Sequence, residues 1–332
     1  DSILGNPDAA DSRSASADET PIRAAYAVGV NYLATGSDIT KGRRAFSSLD
    51  FAVCHDSFLT PTAAWCDVVF PTTTFLERKD VVFPAGNYLF YSARAIQPVG
   101  SSRDDYDILA DLADRLGFRE RFTEGRSAGE WLEHLIEDSA IEDPERFKST
   151  GIYDGGDHRR VSLSAFRSNP VARPLPTPSG RIELSSSAYA EAGGPAVPAY
   201  RGVAGNPRFP LRLVSPHARY RINSQNAQAR WATSREPQRL TVHPADAGAR
   251  GIDSDSWVVV ESEVGRVRCR VEVTDRITPG VVSLPAGMWP SLRSGEALDS
   301  SGAANYLTST EPTRPSMGSR THTVFVELRA DS

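Results

Sequence analysis

Cysteine is scarce in this chain, with three in 332 residues, and Cys54, Cys66 and Cys269 include no CxxC pair. That spacing excludes zinc ribbons and iron-sulfur ligand sets built from this segment. The three thiols are expected to be buried small hydrophobes. No apolar run approaches the ~18 to 20 residues needed to cross a bilayer, and Asp1 to Thr20 is polar, without the apolar stretch of a signal peptide. Cationic excess is missing too. A net charge of -5 argues against a nucleic-acid-binding surface, because phosphate backbones demand clustered Lys and Arg. There is no G-x-G-x-x-G turn after a strand, which speaks against a nicotinamide-type Rossmann enzyme, and no G-x-S-x-G elbow for a hydrolase triad.

What is present is informative from Phe46 to Asp80, FSSLDFAVCHDSFLTPTAAWCDVVFPTTTFLERKD. Phe51-Ala52-Val53-Cys54 suits a strand buried on both faces, which His55-Asp56-Ser57-Phe58 breaks with polar groups at its carboxyl end. Open α/β sheets bind ligands at that edge. Thr60-Pro61-Thr62 predicts a hydroxyl N-cap and a first-turn proline for a short helix through Ala63, Ala64 and Trp65. Val68-Val69-Phe70 predicts a second buried strand, stopped by Pro71.

Upstream, Ala9 to Glu19 reads as a mobile surface loop, and Ile22 to Val30 as a strand whose Gly29, two residues before Asn31, permits close backbone approach. Downstream, Tyr106, Ile108, Leu109, Leu112, Ala113 and Leu116 follow helical spacing, with Gly117 as C-cap. Arg103-Asp104-Asp105 sits at the start of that helix, where carboxylates are favoured by the helix dipole. Glu130 to Asp138 predicts another helix, Gly151 to Arg173 is turn-rich, and a short strand is expected over Arg181 to Leu184. Residues 193 to 210 read as a linker. Beyond it, Leu211 to Val214, Gln238 to Val242, Trp257 to Glu261, Val264 to Val273, Val281 to Leu284 and His322 to Leu328 are strand-like, and only Pro244 to Arg250 looks helical. Many short strands with Gly and Asp turns imply a barrel or sandwich.

The wording VCHDSFLTPTAAWCDVVFPTTTFLER resembles a segment of the molybdopterin oxidoreductases of the dimethyl sulfoxide reductase branch, D-x-F-x-T-x-T-A-x-x-A-D-x-x-L-P-x-x-x-x-x-E. Cys66 replaces the usual alanine and Phe70 the usual leucine. PLPTPSGRIEL is a family-type phrase, and VHPADAGARGIDSDSWVVVESEVGRVRCRVEVTDRITPGVVSLPAG resembles the family's dinucleotide-binding barrel. The resemblance implies an α/β Rossmann-like dinucleotide-binding domain over 1–120, a connecting segment over 121–204 and a C-terminal double-psi β-barrel over 205–332. It implies two molybdopterin guanine dinucleotides with molybdenum or tungsten as cofactor, with any iron-sulfur cluster in a preceding part of the enzyme.

Cofactor contacts are accordingly expected from Gly29, Asn31, His55, Asp56, Phe58, Thr60, Arg103 and Asp105 in the first half. Asp105 would accept from the guanine N1-H and 2-amino group, with helix capping as its alternative use. In SPHARYRINSQ the expected contacts are His217, Arg219, Arg221, Asn223, Ser224 and Gln225, with a solvated basic loop as the alternative. In GAANYLT it is Asn305. His55 beside Asp56 also suits an acid-base couple, but the matched motif places the pair against nucleotide. The metal-ligating residue would lie upstream of Asp1, so the chain reads as a fragment or one piece of a multi-chain enzyme. It would work with the remaining N-terminal portion or a separate catalytic chain, with electron-transfer subunits and with a small-molecule substrate. The resemblance favours periplasm or cell envelope and leaves cytoplasm open.

Overall fold

The computed structural model describes residues 22–84, 86–156, 161–200, 202–203, 205–291, 298–313 and 317–331, so the loop expected over Ala9 to Glu19 lies outside the described residues. In chain order the strands are β1 (Ala24–Val28), β2 (Phe51–Asp56), β3 (Val68–Pro71), β4 (Asp80–Val82), β5 (Tyr88–Ser92), β6 (Ile152–Asp154), β7 (Leu211–Val214), β8 (Arg239–Val242), β9 (Trp257–Glu261), β10 (Arg266–Val273), β11 (Val281–Ser283), β12 (Leu298–Asp299) and β13 (Val324–Ala330). Two compact units divide them. One joins the residues up to Val69 with those from 201 onward, and the other is Phe70–Tyr200. The second boundary falls inside the segment read as a linker.

In the first unit β1 and β2 are parallel, from Ala24 opposite Phe51 to Val28 opposite His55. The crossover holds α1 (Tyr32–Thr35) and α2 (Ile39–Ser47), as a parallel pair requires. Asp38 caps α2 by accepting from the Lys41 amide at 2.9 Å, and the helix buries Ile39, Gly42, Arg43 and Ala45. β3 completes a three-stranded sheet of order β1-β2-β3. One expectation needs correction here. β3 is half-exposed to exposed and includes Pro71, because an edge strand has open space on one side and tolerates a residue without an N–H. The described residues give this sheet three strands. Among the described residues β1 pairs only with β2, and its residues alternate between exposed and half-exposed.

From Leu211 onward the unit is a closed six-stranded barrel running β10-β8-β11-β7-β13-β9 and back to β10. β10 with β8 and β11 with β7 are parallel. The pairs β11 with β8, β13 with β7, β13 with β9 and β9 with β10 are antiparallel. Alternation places Val258 and Val260 of β9, Val267, Cys269 and Val271 of β10, and Val326 and Leu328 of β13 in one core with Leu213, Leu240, Val242 and Val282. Each such side chain contributes about 1.5–3 kcal/mol on burial, and closure removes open sheet edges. β12, which two residues made too short to read in sequence, pairs with the start of β10.

The second unit carries the antiparallel sheet β4-β5-β6 and the helices α3 (Asp105–Arg115), α4 (Arg119–Thr123) and α5 (Ala128–Glu137). α3 lies where its spacing predicts and ends before Gly117 at φ 79°, the left-handed conformation glycine adopts freely. Ser127 and Glu130 form a capping box for α5, whose Leu132 and Ile136 bury with Ile141 and Phe147 against Val81, Leu89, Tyr91 and Tyr153. The strand expected over Arg181 to Leu184 does not form. Ile182 is 60% exposed and Leu184 79%, and neither lies in a paired strand.

Candidate cofactor-binding site

At the carboxyl ends of β1 and β2 the chain builds a polar edge. Gly29, at φ 60°, donates its amide to the His55 carbonyl at 3.2 Å. Asn31 accepts through Oδ1 from the Thr62 hydroxyl at 3.1 Å and the Thr62 amide at 3.3 Å, while Thr62 Oγ1 accepts from the Leu33 amide at 2.9 Å. Thr62 is wholly buried, so it fixes Asn31 against the short helix Ala63–Trp65. The N-cap position of that helix falls on Thr62, without a side-chain cap bond, and Thr60, expected as the cap, accepts from the Ala63 amide at 3.2 Å. It donates to Asp56 Oδ2 at 3.0 Å, and Asp56 Oδ1 accepts from the Phe58 amide at 3.3 Å. Phe58 itself is exposed.

His55 differs from its expected place in a polar loop. β2 continues through Asp56 because the parallel ladder with β1 extends to Val28 and His55. The imidazole is fully buried, with Nε2 2.7 Å from the Tyr26 hydroxyl.

Within the SPHARYRINSQ loop that follows β7, His217, Arg219, Asn223 and Gln225 are exposed, Ser224 is half-buried and Arg221 is buried. Arg221 turns inward, donating to the Glu236 carbonyl at 3.0 Å and to Gln238 Oε1 at 2.7 Å. Desolvation lowers its pKa from the ordinary value. Asn223 has φ 48°, and its carbonyl lies against Gly287, where a Cβ would approach to 2.1 Å. Trp289 donates from Nε1 to the Ser224 carbonyl at 2.6 Å.

Asn305 sits on the 3-10 turn Ala304–Tyr306 and donates from Nδ2 to the Ala34 carbonyl at 3.0 Å. Asp38 donates its amide to the Thr308 carbonyl at 2.9 Å, and Arg43 of α2 donates to the Ser291 carbonyl and packs over the rings of Trp65 and Tyr306. The fold thus brings Asn31 and Asn305, at opposite ends of the sequence, to one short helix. Asp299 holds the turn before Asn305 by accepting from the Ser301 amide at 3.1 Å and the Ala303 amide at 2.8 Å.

In the second unit Arg103 donates to Asp111 Oδ2 at 2.8 Å, and Asp105 opens the first turn of α3. Pro71 and Thr73 clasp Arg103 by backbone bonds of 3.1 Å each, and Thr73 donates its hydroxyl to Asp104. Glu77 accepts from the Thr74 amide and hydroxyl, both at 2.7 Å, from the Val99 amide at 2.7 Å and from the Ser102 hydroxyl at 3.2 Å. These donors, led by the Thr74 and Val99 amides, hold its carboxyl down to about 2.

Among the described residues, three buried side-chain atoms in the nominated segments have no hydrogen-bond partner, Asn31 Nδ2, Ser215 Oγ and Arg221 Nε. An unmet buried polar atom costs about 1–3 kcal/mol, which a polar ligand atom would relieve, so these segments fit a hydrogen-bonding cofactor. Ser215, Thr62 and Gln238 were not nominated from sequence. Their roles arise from contacts across long chain separations. Cys54 and Cys269 are buried as expected, and burial pushes each thiol up to about 12. Cys66 is only half-buried. Among the described residues no cluster of three or more His, Cys, Asp or Glu stands ready to hold a metal ion.

Comparison with known proteins decides the family. Residues 3–115 match the family model described as Molybdopterin oxidoreductase, and residues 211–325 match the Molydopterin dinucleotide binding domain. The chain belongs to the molybdopterin oxidoreductases. Molybdopterin dinucleotide, carrying molybdenum, is the cofactor that these domains bind. The chain is 33% identical over 306 residues to the dimethyl sulfoxide reductase DmsA of Haemophilus influenzae, covering 84% of this chain and 38% of that protein. It is 32% identical to the trimethylamine-N-oxide reductase of the same organism, over 92% of this chain and 41% of that one. Biotin sulfoxide reductase of Cereibacter sphaeroides is 32% identical, over 93% and 45%. The chain therefore spans about two fifths of the length of these relatives. Among solved structures, acetylene hydratase from Pelobacter acetylenicus aligns with a TM-score of 0.77 at 22% identity, covering 95% of this chain and 45% of that one. That likeness speaks for the fold.

Proposed function

We propose that this chain is the C-terminal part of a molybdenum or tungsten oxidoreductase that binds two molybdopterin guanine dinucleotides and serves two-electron or oxygen-atom transfer to a small S-oxide or N-oxide. The observation that carries the reading is the meeting of Asn31 and Asn305 on α1, next to an unpartnered buried amide. Relatives named as sulfoxide and N-oxide reductases support the substrate class. We read the barrel, with its two parallel pairs, as the double-psi type, and the β1-β2-β3 sheet as part of a Rossmann-like domain.

When bound, the cofactor supplies the two-electron redox chemistry. The chain supplies the binding groups. Asn31, Ser215 and Asn305 offer neutral hydrogen bonds suited to a pterin edge, the exposed His217 and Arg219 offer donors to phosphate oxygens, and Asp105 offers an acceptor to guanine. The metal-ligating side chain and any electron-transfer subunit are read as parts of other polypeptide.

A second reading is a non-catalytic subunit that holds the dinucleotide for a separate catalytic chain. Molybdenum, tungsten and guanine analysis of the purified protein, alone and together with the remaining polypeptide, tests both. The leading reading expects guanine and metal in the combined protein, with turnover of an S-oxide or N-oxide. Cofactor without turnover in that combination favours the second reading, and absence of guanine overturns both.

A further inference from the structure

We propose that Gln238 is a positioning residue that holds the two barrel loops facing the cofactor, residues 217–225 and the turn carrying Asn305, in register with each other. The amide stands just before β8 and bonds three separate segments. Its Oε1 accepts from Arg221 Nη2 at 2.7 Å, and its Nε2 donates to the Pro285 carbonyl at 2.7 Å and the Gly302 carbonyl at 2.8 Å. A guanidinium only donates and a carbonyl only accepts, so the three partners fix the orientation of the amide.

Each partner is tied to a loop of the proposed site. Arg221 belongs to the first loop, is 2% exposed and is anchored on its other side by the Glu236 carbonyl at 3.0 Å. Gly302 precedes the Ala304–Tyr306 turn, and the amides on either side of it are held by the Asp299 carboxylate. Its backbone lies so near Gln238 that a Cβ at Gly302 would come within 2.7 Å of Gln238 Cγ. Pro285 leads to Gly287, which is pressed against the Asn223 carbonyl of the first loop. A shift of any of these segments breaks a directed bond to the same amide. A side chain present only as filler would need no polar atoms at its end, and methionine would serve.

The consequence for cofactor binding rests on the proposed function, whereas the geometry can be tested without it. Hydrogen exchange of the purified protein is compared in wild type, Gln238→Met and Gln238→Glu over peptides 217–225, 301–307 and 257–261, the last a barrel control. Loss of a buried bond predicts exchange about fivefold to tenfold faster in both loops of the Met variant, with the control unchanged. The Glu variant retains the acceptor for Arg221 and loses both donors, so residues 301–307 loosen while 217–225 stay protected. It also carries the test if the Met variant fails to fold. Unchanged loops, or equal loosening of both loops and the control, would overturn the proposal. Release of bound guanine dinucleotide from the holoprotein is the separate readout. If the loops loosen as described and release is not faster, the positioning role stands and the cofactor reading of these loops fails.

Discussion

Asn305 Nδ2 lies 3.0 Å from the carbonyl oxygen of Ala34, a residue 271 positions earlier in the chain. The Ala34 amide in turn donates to the Asn31 carbonyl at 3.1 Å. One residue of α1 therefore links the two asparagines nominated for the cofactor, and the barrel cannot shift against the β1-α1 turn without breaking a bond.

Replacing Asn305 by alanine leaves the Ala34 carbonyl unmet in a buried setting, Ala34 being 4% exposed. The expected loss is about 1–3 kcal/mol of stability, read as a lower melting temperature. Guanine retained per chain should fall in parallel, and Asn31→Ala should lower guanine retention in the same way.

Gly287 is predicted to accept no side chain. Its φ is 88°, and a Cβ would stand 2.1 Å from the Asn223 carbonyl oxygen, a backbone atom that cannot swing aside. Gly287→Ala should destabilise by more than about 1 kcal/mol, and hydrogen exchange should show the Asn223 segment loosened.

Glu77 predicts an acid-side dependence. Its folded carboxyl is held below the ordinary 4.5, at about 2, so its contribution is complete above pH 4.5 and is lost as pH falls toward 2. Wild type should therefore exceed Glu77→Gln in stability most at pH 5 to 7, with the gap closing between 4.5 and 2. Denaturant melts across that range measure it, and a gap that widens on acidification contradicts the sign.

Cys54 and Cys269 should be inert in the folded chain. With Cys54 and Cys269 pushed up to about 12, alkylation at pH 8 is expected to be slow at both. Unfolding in denaturant should expose all three thiols to rapid labelling, which mass spectrometry would count.

Much of the barrel was legible because alternation along Trp257–Glu261 and Val264–Val273 reports a half-buried strand directly. β12 was not, since two residues carry no periodicity, nor were β4, β5 and β6, whose pairing depends on partners up to 60 or more residues away. Arg181 to Leu184 had strand-like residues and, among the described residues, no strand to pair with. At the site, Asn31, Thr60 and Asn305 were nominated through local wording. Arg221 was nominated with its neighbours, yet it faces inward, a direction set by Gln238 and Glu236, which no local pattern reveals. Thr62 and Ser215 stood inside quoted phrases, but their burial and bonding exist only in three dimensions.

In the proposed function, Asn31 and Asn305 hold one cofactor from two ends of the chain. A structure of the protein purified with its dinucleotide tests it most directly. Asn31 Nδ2 is expected within hydrogen-bonding distance, about 3 Å, of a polar atom of that cofactor, with the Asn305 turn against the same molecule. A dinucleotide bound elsewhere, with Asn31 Nδ2 still unpartnered, would contradict it.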